Sequence, residues 1–194
     1  VITRDYERQL QELQTILDYG ITDFKLFTVY DNTDLTMPEI EHVIRELCRK
    51  ISDKKKMTFL VHAEEKEIIE NLKKDVKNPS EMSMLAFTRP DISEQKAVEQ
   101  LQKIAQKTGV NLCIAHTSAG ATVALQPEQR QAYEHTEGFL LETCPHYLEF
   151  TDEKLKGEQG ASYTMMPPLR KQKDTDLLWE GILNGKIDIF STDH

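Results

Sequence analysis

Segments with the apolar pattern of a β-strand alternate along this chain with segments that have the periodicity of an α-helix. Five short runs rich in β-branched and aromatic residues predict strands. They cover residues 21–30, 57–61, 110–115, 139–144 and 187–191. A helical pattern separates each pair of runs, and such alternation favours parallel strands joined by right-handed crossovers. Two α/β architectures fit the pattern, an open doubly wound sheet and a (β/α)8 TIM barrel.

Local signals at helix ends agree with this alternation. Gly20, Gly109 and Gly185 each follow a helical pattern, at the position where a left-handed residue ends a helix. Thr36 and Glu39 have the spacing of a capping box, which predicts that a helix begins there.

Two further helices have less regular sequence patterns. We expect a long helix capped by Asp91 or Ser93, preceded by an irregular segment that ends at Pro90. Another helix is predicted over residues 120–133, with an interruption at Pro127 because proline cannot donate a helical hydrogen bond.

The composition is that of an ordinary globular domain, with 39% hydrophobic and 29% charged residues in a chain of 194. No apolar run reaches the roughly 18 residues of a membrane span. The net charge is −9 and no basic block occurs, which argues against nucleic acid and membranes as partners. Cys48, Cys113 and Cys144 lie in apolar patterns and predict reduced core thiols in a cytoplasmic protein.

Glycine-rich phosphate-binding motifs do not occur in the sequence. No Gly-x-Gly-x-x-Gly follows a predicted strand, and no Gly-x-x-x-x-Gly-Lys-Ser/Thr is found. The chain therefore lacks the strongest sequence argument for a nucleotide-binding sheet.

Side chains that can bind a metal ion follow four of the five predicted strands. These are Lys25 on the first strand, His62 after the second, His116 after the third, and Asp193 with His194 after the fifth. In parallel α/β folds the carboxyl ends of the strands meet at one rim, so these side chains are expected to converge. Two imidazoles and a carboxylate suit a zinc-like ion.

Each of these residues also has an ordinary structural explanation. A histidine at a strand end is commonly a hydrogen-bonded structural residue, and Lys25 could point into water. A buried lysine, in contrast, must be paired or modified, because removing an ammonium group from water costs several kcal/mol. The recurrence of such side chains at four strand ends is what favours a metal site.

Six motifs in this sequence resemble, in order, those of the cyclic amidohydrolases, the group of dihydropyrimidinases, hydantoinases, dihydroorotases and allantoinases. They lie at residues 24–27, 61–64, 114–118, 142–148, 167–170 and 192–194. The resemblance implies a (β/α)8 barrel. It further implies that residues 1–194 are part of a single metal-dependent barrel domain, truncated at both ends and covering roughly its second half.

The same resemblance implies a centre of two divalent ions, with zinc as the expected metal. Lys25 matches the lysine that reacts with CO₂ to form a carbamate bridging both ions, and His62 and His116 match the histidines of the second ion. Asp193 matches the aspartate that binds the first ion and passes a proton from the bridging hydroxide to the leaving amide nitrogen. The implied reaction opens a cyclic amide to a carbamoyl amino acid.

The family also has a His-x-His pair on the first barrel strand, and no His-x-His occurs in this chain. We expect that pair upstream of the present segment. A non-catalytic relative that acts as an oligomeric scaffold is the alternative from another class, and it predicts that the upstream pair is missing. The resemblance implies a homo-oligomer in either case.

The motifs leave the ring substrate open. Tyr30 stands where dihydropyrimidinases and hydantoinases have a tyrosine that hydrogen-bonds the substrate carbonyl, which favours a hydantoin or dihydropyrimidine ring. His146 instead resembles the motif of allantoinases and dihydroorotases, where hydantoinases commonly carry glutamine. Met166 matches neither the serine of hydantoinases nor the asparagine of dihydroorotases, and we expect it to contact substrate through its backbone.

Four polar residues near these motifs are expected to support the site. Arg170 is predicted to hold its loop. Three further residues are expected to orient metal ligands, with a purely structural role as the alternative for each. They are Glu64, Ser118 and His194.

Overall fold

Five parallel strands form one sheet in the computed structural model, which describes residues 1–51, 53, 56–78, 80–126 and 138–193. The strands are β1 (Asp23–Phe27), β2 (Thr58–His62), β3 (Asn111–Ile114), β4 (Phe139–Thr143) and β5 (Ile189–Phe190). Their order in the sheet is the same as their order in the chain. A doubly wound sheet reverses its strand order at a switch point, whereas a barrel adds each strand beside the previous one. The sheet therefore has the topology of consecutive barrel strands.

Eight α-helices occur among the described residues. They are α1 (Tyr6–Asp18), α2 (Met37–Lys50), α3 (Lys66–Lys73), α4 (Met84–Thr88), α5 (Asp91–Thr108), α6 (Gly120–Val123), α7 (Pro145–Glu149) and α8 (Gln172–Leu183). Two 3-10 turns, Asp152–Leu155 and Gly160–Tyr163, lie between α7 and α8.

The predicted helix ends are confirmed where glycine or a capping box marks them. Gly20, Gly109 and Gly185 have φ angles of +78°, +70° and +66° after α1, α5 and α8. At the start of α2, the Glu39 amide donates to Thr36 Oγ1 and the Thr36 amide donates to Glu39 Oε2 at 2.7 Å. This reciprocal pair satisfies two amides that the first helical turn leaves without partners.

The predicted cap of α5 is wrong. Pro90 occupies the cap position, with no side-chain hydrogen bond to the first helical turn. Asp91 accepts from the adjacent amide of Ile92, and the Ser93 hydroxyl donates to the Pro90 carbonyl. Proline lacks a backbone N–H and has a restricted φ angle, so it is well tolerated at the start of a helix. At α5 it takes the place of a polar cap.

Two other helix predictions are corrected or only partly tested. The segment before Pro90 is not wholly irregular, because α4 forms within it. The helix predicted over 120–133 is present as α6, which ends at Val123. Pro127, where an interruption was predicted, lies outside the described residues.

The main hydrophobic core lies between the sheet and α1, α2 and α5. Its fully buried members include Leu26 and Phe59 from the strands and Ile44 and Leu101 from the helices. A second, smaller cluster joins α7 and α8 through Tyr147, Leu148 and Leu178. None of the helices in the described ranges combines the length and apolarity needed to cross a bilayer.

We expect the substitution Thr36→Ala to lower the free energy of unfolding of the intact protein by about 1 kcal/mol, because it removes the hydroxyl that caps α2. Urea-induced unfolding followed by circular dichroism measures the change. Thr36→Ser keeps a capping hydroxyl and is expected to retain most of the stability. Equal losses in the two variants would contradict the capping role.

Candidate metal centre

His62 and His116 meet at the carboxyl edge of the sheet. His62 is the last residue of β2, and His116 lies two residues beyond the end of β3. Val61 is paired with Ile114 in the register of the two strands, so both chains leave the sheet side by side. His116 has a φ angle of +41°, and its ring nitrogen Nε2 lies 3.1 Å from Nδ1 of His62. Both residues are buried.

This histidine pair fits one divalent ion. Two nitrogens that bind a tetrahedral zinc ion at 2.0–2.1 Å are roughly 3.3–3.4 Å apart, close to the observed separation. Burial lowers the pKa of His116 to about 2, and the nearby His62 and Lys25 act in the same direction. His116 is therefore neutral, which is the form that binds metals. Its Nδ1 has no hydrogen-bond partner in the part of the chain that the structure describes.

Lys25 is half-buried on β1 and does not point into open water. Its Nζ lies 5.3 Å from the centre of the Phe27 ring. Burial lowers the pKa of Lys25 below its ordinary value, and the charges of Asp193 and Glu142 oppose this shift. A lowered pKa increases the fraction of neutral amine, which is the form that can react with CO₂.

Asp193 lies near Lys25 but is not assembled with the two histidines. It follows β5 by three residues, has a φ angle of +51° and is exposed. Across the described ranges, no three histidine, cysteine, aspartate or glutamate side chains are arranged to hold a metal ion. The strand before Asp193 is β5, which has only two residues and pairs with β4. Few sheet contacts therefore fix the position of Asp193. His194 lies outside the described residues.

His146 lies close enough to Asp193 for their charges to interact. Burial lowers the pKa of His146, and Asp193 opposes the shift. The ring packs edge-on against Tyr147, with 4.3 Å between ring centres. His146 therefore lies at the same carboxyl edge of the sheet as the predicted metal ligands.

Tyr30 and Met166 both line a pocket of about 370 Å³, with Arg89 as another of its walls. The Tyr30 ring centre is 6.5 Å from that of His62, and about half of the Tyr30 surface is exposed. Met166 precedes a cis peptide bond to Pro167, whose carbonyl accepts a 2.7 Å hydrogen bond from the Tyr147 hydroxyl. The two predicted substrate-binding residues thus share one opening. Its lining includes neither histidine, and Tyr30 is the residue that connects it to His62.

Glu64 contacts a predicted metal ligand directly. Its Oε2 lies 2.9 Å from Nε2 of His62, and Arg89 donates to the same oxygen. Burial alone would raise the pKa of Glu64, but the hydrogen bond with His62 and the charge of Arg89 hold it below its usual value. The carboxylate therefore stays ionised although it is fully buried.

Ser118 supports the site less directly than expected. Its hydroxyl donates to Glu94 and accepts from Nε of Arg170 at 2.9 Å, so it contacts neither histidine. Arg170 also donates to the backbone carbonyl of Arg89. This arrangement agrees with the prediction that Arg170 holds its loop.

Glu94 was missed by sequence reasoning, although it is the most densely hydrogen-bonded carboxylate near the site. It accepts from the amides of Ser118 and Ala119 and from the hydroxyl of Thr122, and Arg170 lies 3.6 Å away. Its position in the first turn of α5 is the usual place for an acidic residue and gave no other signal. Arg89 was missed for a similar reason, since its partners lie on other elements.

No protein-family model matches this chain, but individual proteins of known name do. An allantoinase from Solibacter usitatus is 32% identical over 197 residues, which cover 95% of this chain and 40% of that protein. A D-hydantoinase from Ralstonia pickettii is 29% identical over 189 residues, covering 95% of this chain and 40% of that protein. A dihydroorotase from Endomicrobium trichonymphae is 36% identical over 141 residues, covering 72% of this chain and 32% of that protein.

Solved structures show the same likeness in three dimensions. A D-hydantoinase crystal structure has a TM-score of 0.84 and 26% identity, covering all of this chain and 41% of that one. An L-hydantoinase (dihydropyrimidinase) from Arthrobacter aurescens has a TM-score of 0.79 and 26% identity, covering 95% of this chain and 40% of that one. The chain spans about two fifths of the length of these two structures. Its resemblance to the cyclic amidohydrolases is confirmed, and so is the partial (β/α)8 barrel.

We expect Glu94→Ala to destabilise the intact protein by about 3–5 kcal/mol, because it leaves the buried Arg170 without this ion-pair partner and two backbone amides without their acceptor. Chemical denaturation measures the loss. Glu99→Ala is a matched control in the same helix, where the carboxylate accepts a hydrogen bond from a neighbouring glutamine, and it should change stability by about 0.5 kcal/mol or less. Similar effects of the two substitutions would show that Glu94 has no special role.

Proposed function

We propose that this relative of the cyclic amidohydrolases is part of an enzyme that hydrolyses a cyclic amide to a carbamoyl amino acid with the help of divalent metal ions. One observation carries the proposal. Two buried histidine nitrogens face each other at 3.1 Å at the carboxyl edge of a parallel sheet, with the half-buried Lys25 beside them. The activity of the whole protein is inferred from a chain that covers about two fifths of its relatives.

Lys25, His62, His116 and Asp193 are the residues proposed to hold two divalent ions, with zinc as the expected metal and Lys25 carbamylated. Imidazole and carboxylate donors suit zinc, and a carbamate converts the lysine from a cation into an anionic oxygen ligand. When bound, the ions would polarise the ring carbonyl and lower the pKa of water to about 7.

The proton transfer and the positioning of the ring are proposed to depend on residues of this chain. Asp193 is proposed to carry a proton to the amide nitrogen as the ring C–N bond breaks, so that water supplies the hydroxyl to the carbonyl carbon and the proton to nitrogen. The Tyr30 hydroxyl is proposed to donate to the carbonyl oxygen, where negative charge develops. The Met166 backbone would hold the ring at the shared opening.

The ring is proposed to be of the hydantoin or dihydropyrimidine type, because of Tyr30 beside the histidine pair. Allantoin is the second candidate. Relatives named allantoinase, one from Deinococcus radiodurans at 29% identity and one from Solibacter usitatus at 32%, favour it. A cytoplasmic homo-oligomer remains our prediction for the whole protein.

Turnover of hydantoin, dihydrouracil, allantoin and dihydroorotate by the full-length, zinc-loaded protein tests the proposal. We expect hydrolysis of at least one of these rings, followed by chromatography of the carbamoyl product. Removal of the metal by a chelator should abolish the turnover, and added zinc should restore it. A folded, metal-loaded protein that hydrolyses none of the four rings would favour the scaffold alternative.

Lys25→Ala is expected to lower the number of zinc ions bound per chain and to abolish turnover, because it removes the group proposed to bridge the ions. Elemental analysis of the dialysed protein measures the metal content. Lys96→Ala, an exposed lysine on α5, is the control and should leave both unchanged. Full metal content and full turnover in folded Lys25→Ala would contradict the assignment of Lys25.

A further inference from the structure

A buried arginine lies behind the histidine pair, and the proposed metal ligands do not account for it. Arg89 comes from the segment between α4 and α5 and is 5% exposed. We propose that Arg89 is a positioning residue that acts through Glu64 to fix the ring of His62, so that Nδ1 faces the metal ion. This inference rests on the proposed function, because it concerns the same site.

The contact between His62 and Glu64 assigns the protons on the imidazole. An ionised carboxylate can only accept hydrogen bonds, so Nε2 of His62 must carry the hydrogen that joins it to Glu64 Oε2 at 2.9 Å. In the neutral ring, Nδ1 then keeps its lone pair. This lone pair is on the atom that faces His116 Nε2, where a metal ion fits.

Arg89 fixes the position of the Glu64 carboxylate. Glu64 is fully buried, so its oxygens depend on neighbouring protein groups or bound water for hydrogen bonds. The guanidinium of Arg89 donates to Oε2, the same oxygen that accepts from His62. Loss of the arginine would remove the guanidinium that forms an ion pair with this carboxylate.

The backbone of Glu64 is fixed independently of Arg89. The Thr28 hydroxyl accepts from the Glu64 amide at 2.8 Å and donates to the Glu64 carbonyl at 2.7 Å. Removal of the arginine side chain is therefore expected to disturb the carboxylate rather than the path of the chain.

Arg89 is itself held in place from the other side of the site. Its carbonyl accepts from Arg170, and Nε of Arg170 donates to Ser118, two residues beyond His116. One set of buried hydrogen bonds therefore supports the elements that carry both histidines. Such outer contacts to a metal-binding histidine commonly change metal affinity by 10- to 100-fold.

Zinc affinity of the full-length protein, measured by competition with a chromophoric chelator, tests the role of Arg89. We expect Arg89→Gln and Glu64→Gln each to weaken zinc binding by about 10- to 100-fold. The double variant should bind no more weakly than the weaker single variant, because both residues act through one contact. Arg89→Lys keeps the charge and should restore part of the affinity.

Arg45→Gln is the matched control. Arg45 forms an arginine–glutamate pair with Glu41 on the surface of α2, and its loss should leave zinc affinity unchanged. The Co²⁺ absorption spectrum provides a second readout, since a tilted or mis-protonated His62 alters the ligand field while a loss of global stability alone does not.

The outcomes separate this inference from the proposed function. Wild-type protein that binds no zinc would overturn both. Wild-type protein that binds zinc, together with a folded Arg89→Gln variant of equal affinity and unchanged Co²⁺ spectrum, would overturn the role of Arg89 alone. If Arg89→Gln does not fold, unchanged affinity in the isosteric Glu64→Gln variant would overturn it, because the proposed action passes through that carboxylate.

Discussion

The parallel register of β1, β2 and β3 decides where the polar side chains of this protein lie. Phe27 is paired with His62, and Val61 is paired with Ile114, so three neighbouring strands end at nearly the same level. Beyond that level the regular strands end, and side chains can turn toward each other. The histidine pair forms there because the sheet aligns residues that are 54 positions apart in sequence.

Buried charged side chains join the segments at this edge of the sheet. Glu64 pairs with Arg89, and Glu94 lies near Arg170 and binds the loop that follows His116. A buried ion pair contributes little net stability compared with an apolar core, but the loss of one member is costly because the other stays unpaired. The pairs therefore restrict which arrangements of the surrounding loops are compatible with folding.

The sequence alone predicted the features that depend on local pattern. Alternating strand and helix patterns, the helix-ending glycines and the Thr36 capping box are all local, and all are confirmed. The meeting of His62 and His116 also followed, because parallel strands place their carboxyl ends together. The roles of Arg89 and Glu94 did not follow, since their contacts join segments 24 to 81 residues apart that no periodic pattern connects.

The loop that carries Met166 is buried at its base, near Arg170, and exposed at Met166. Arg170 is buried and holds the base to Arg89 and Ser118, while Met166, four residues earlier, is about half exposed. Tyr30, which lines the same pocket, is similarly exposed. Substitutions at these two exposed positions need not disturb the buried charges, so the lining of the pocket can change while the histidine pair is retained.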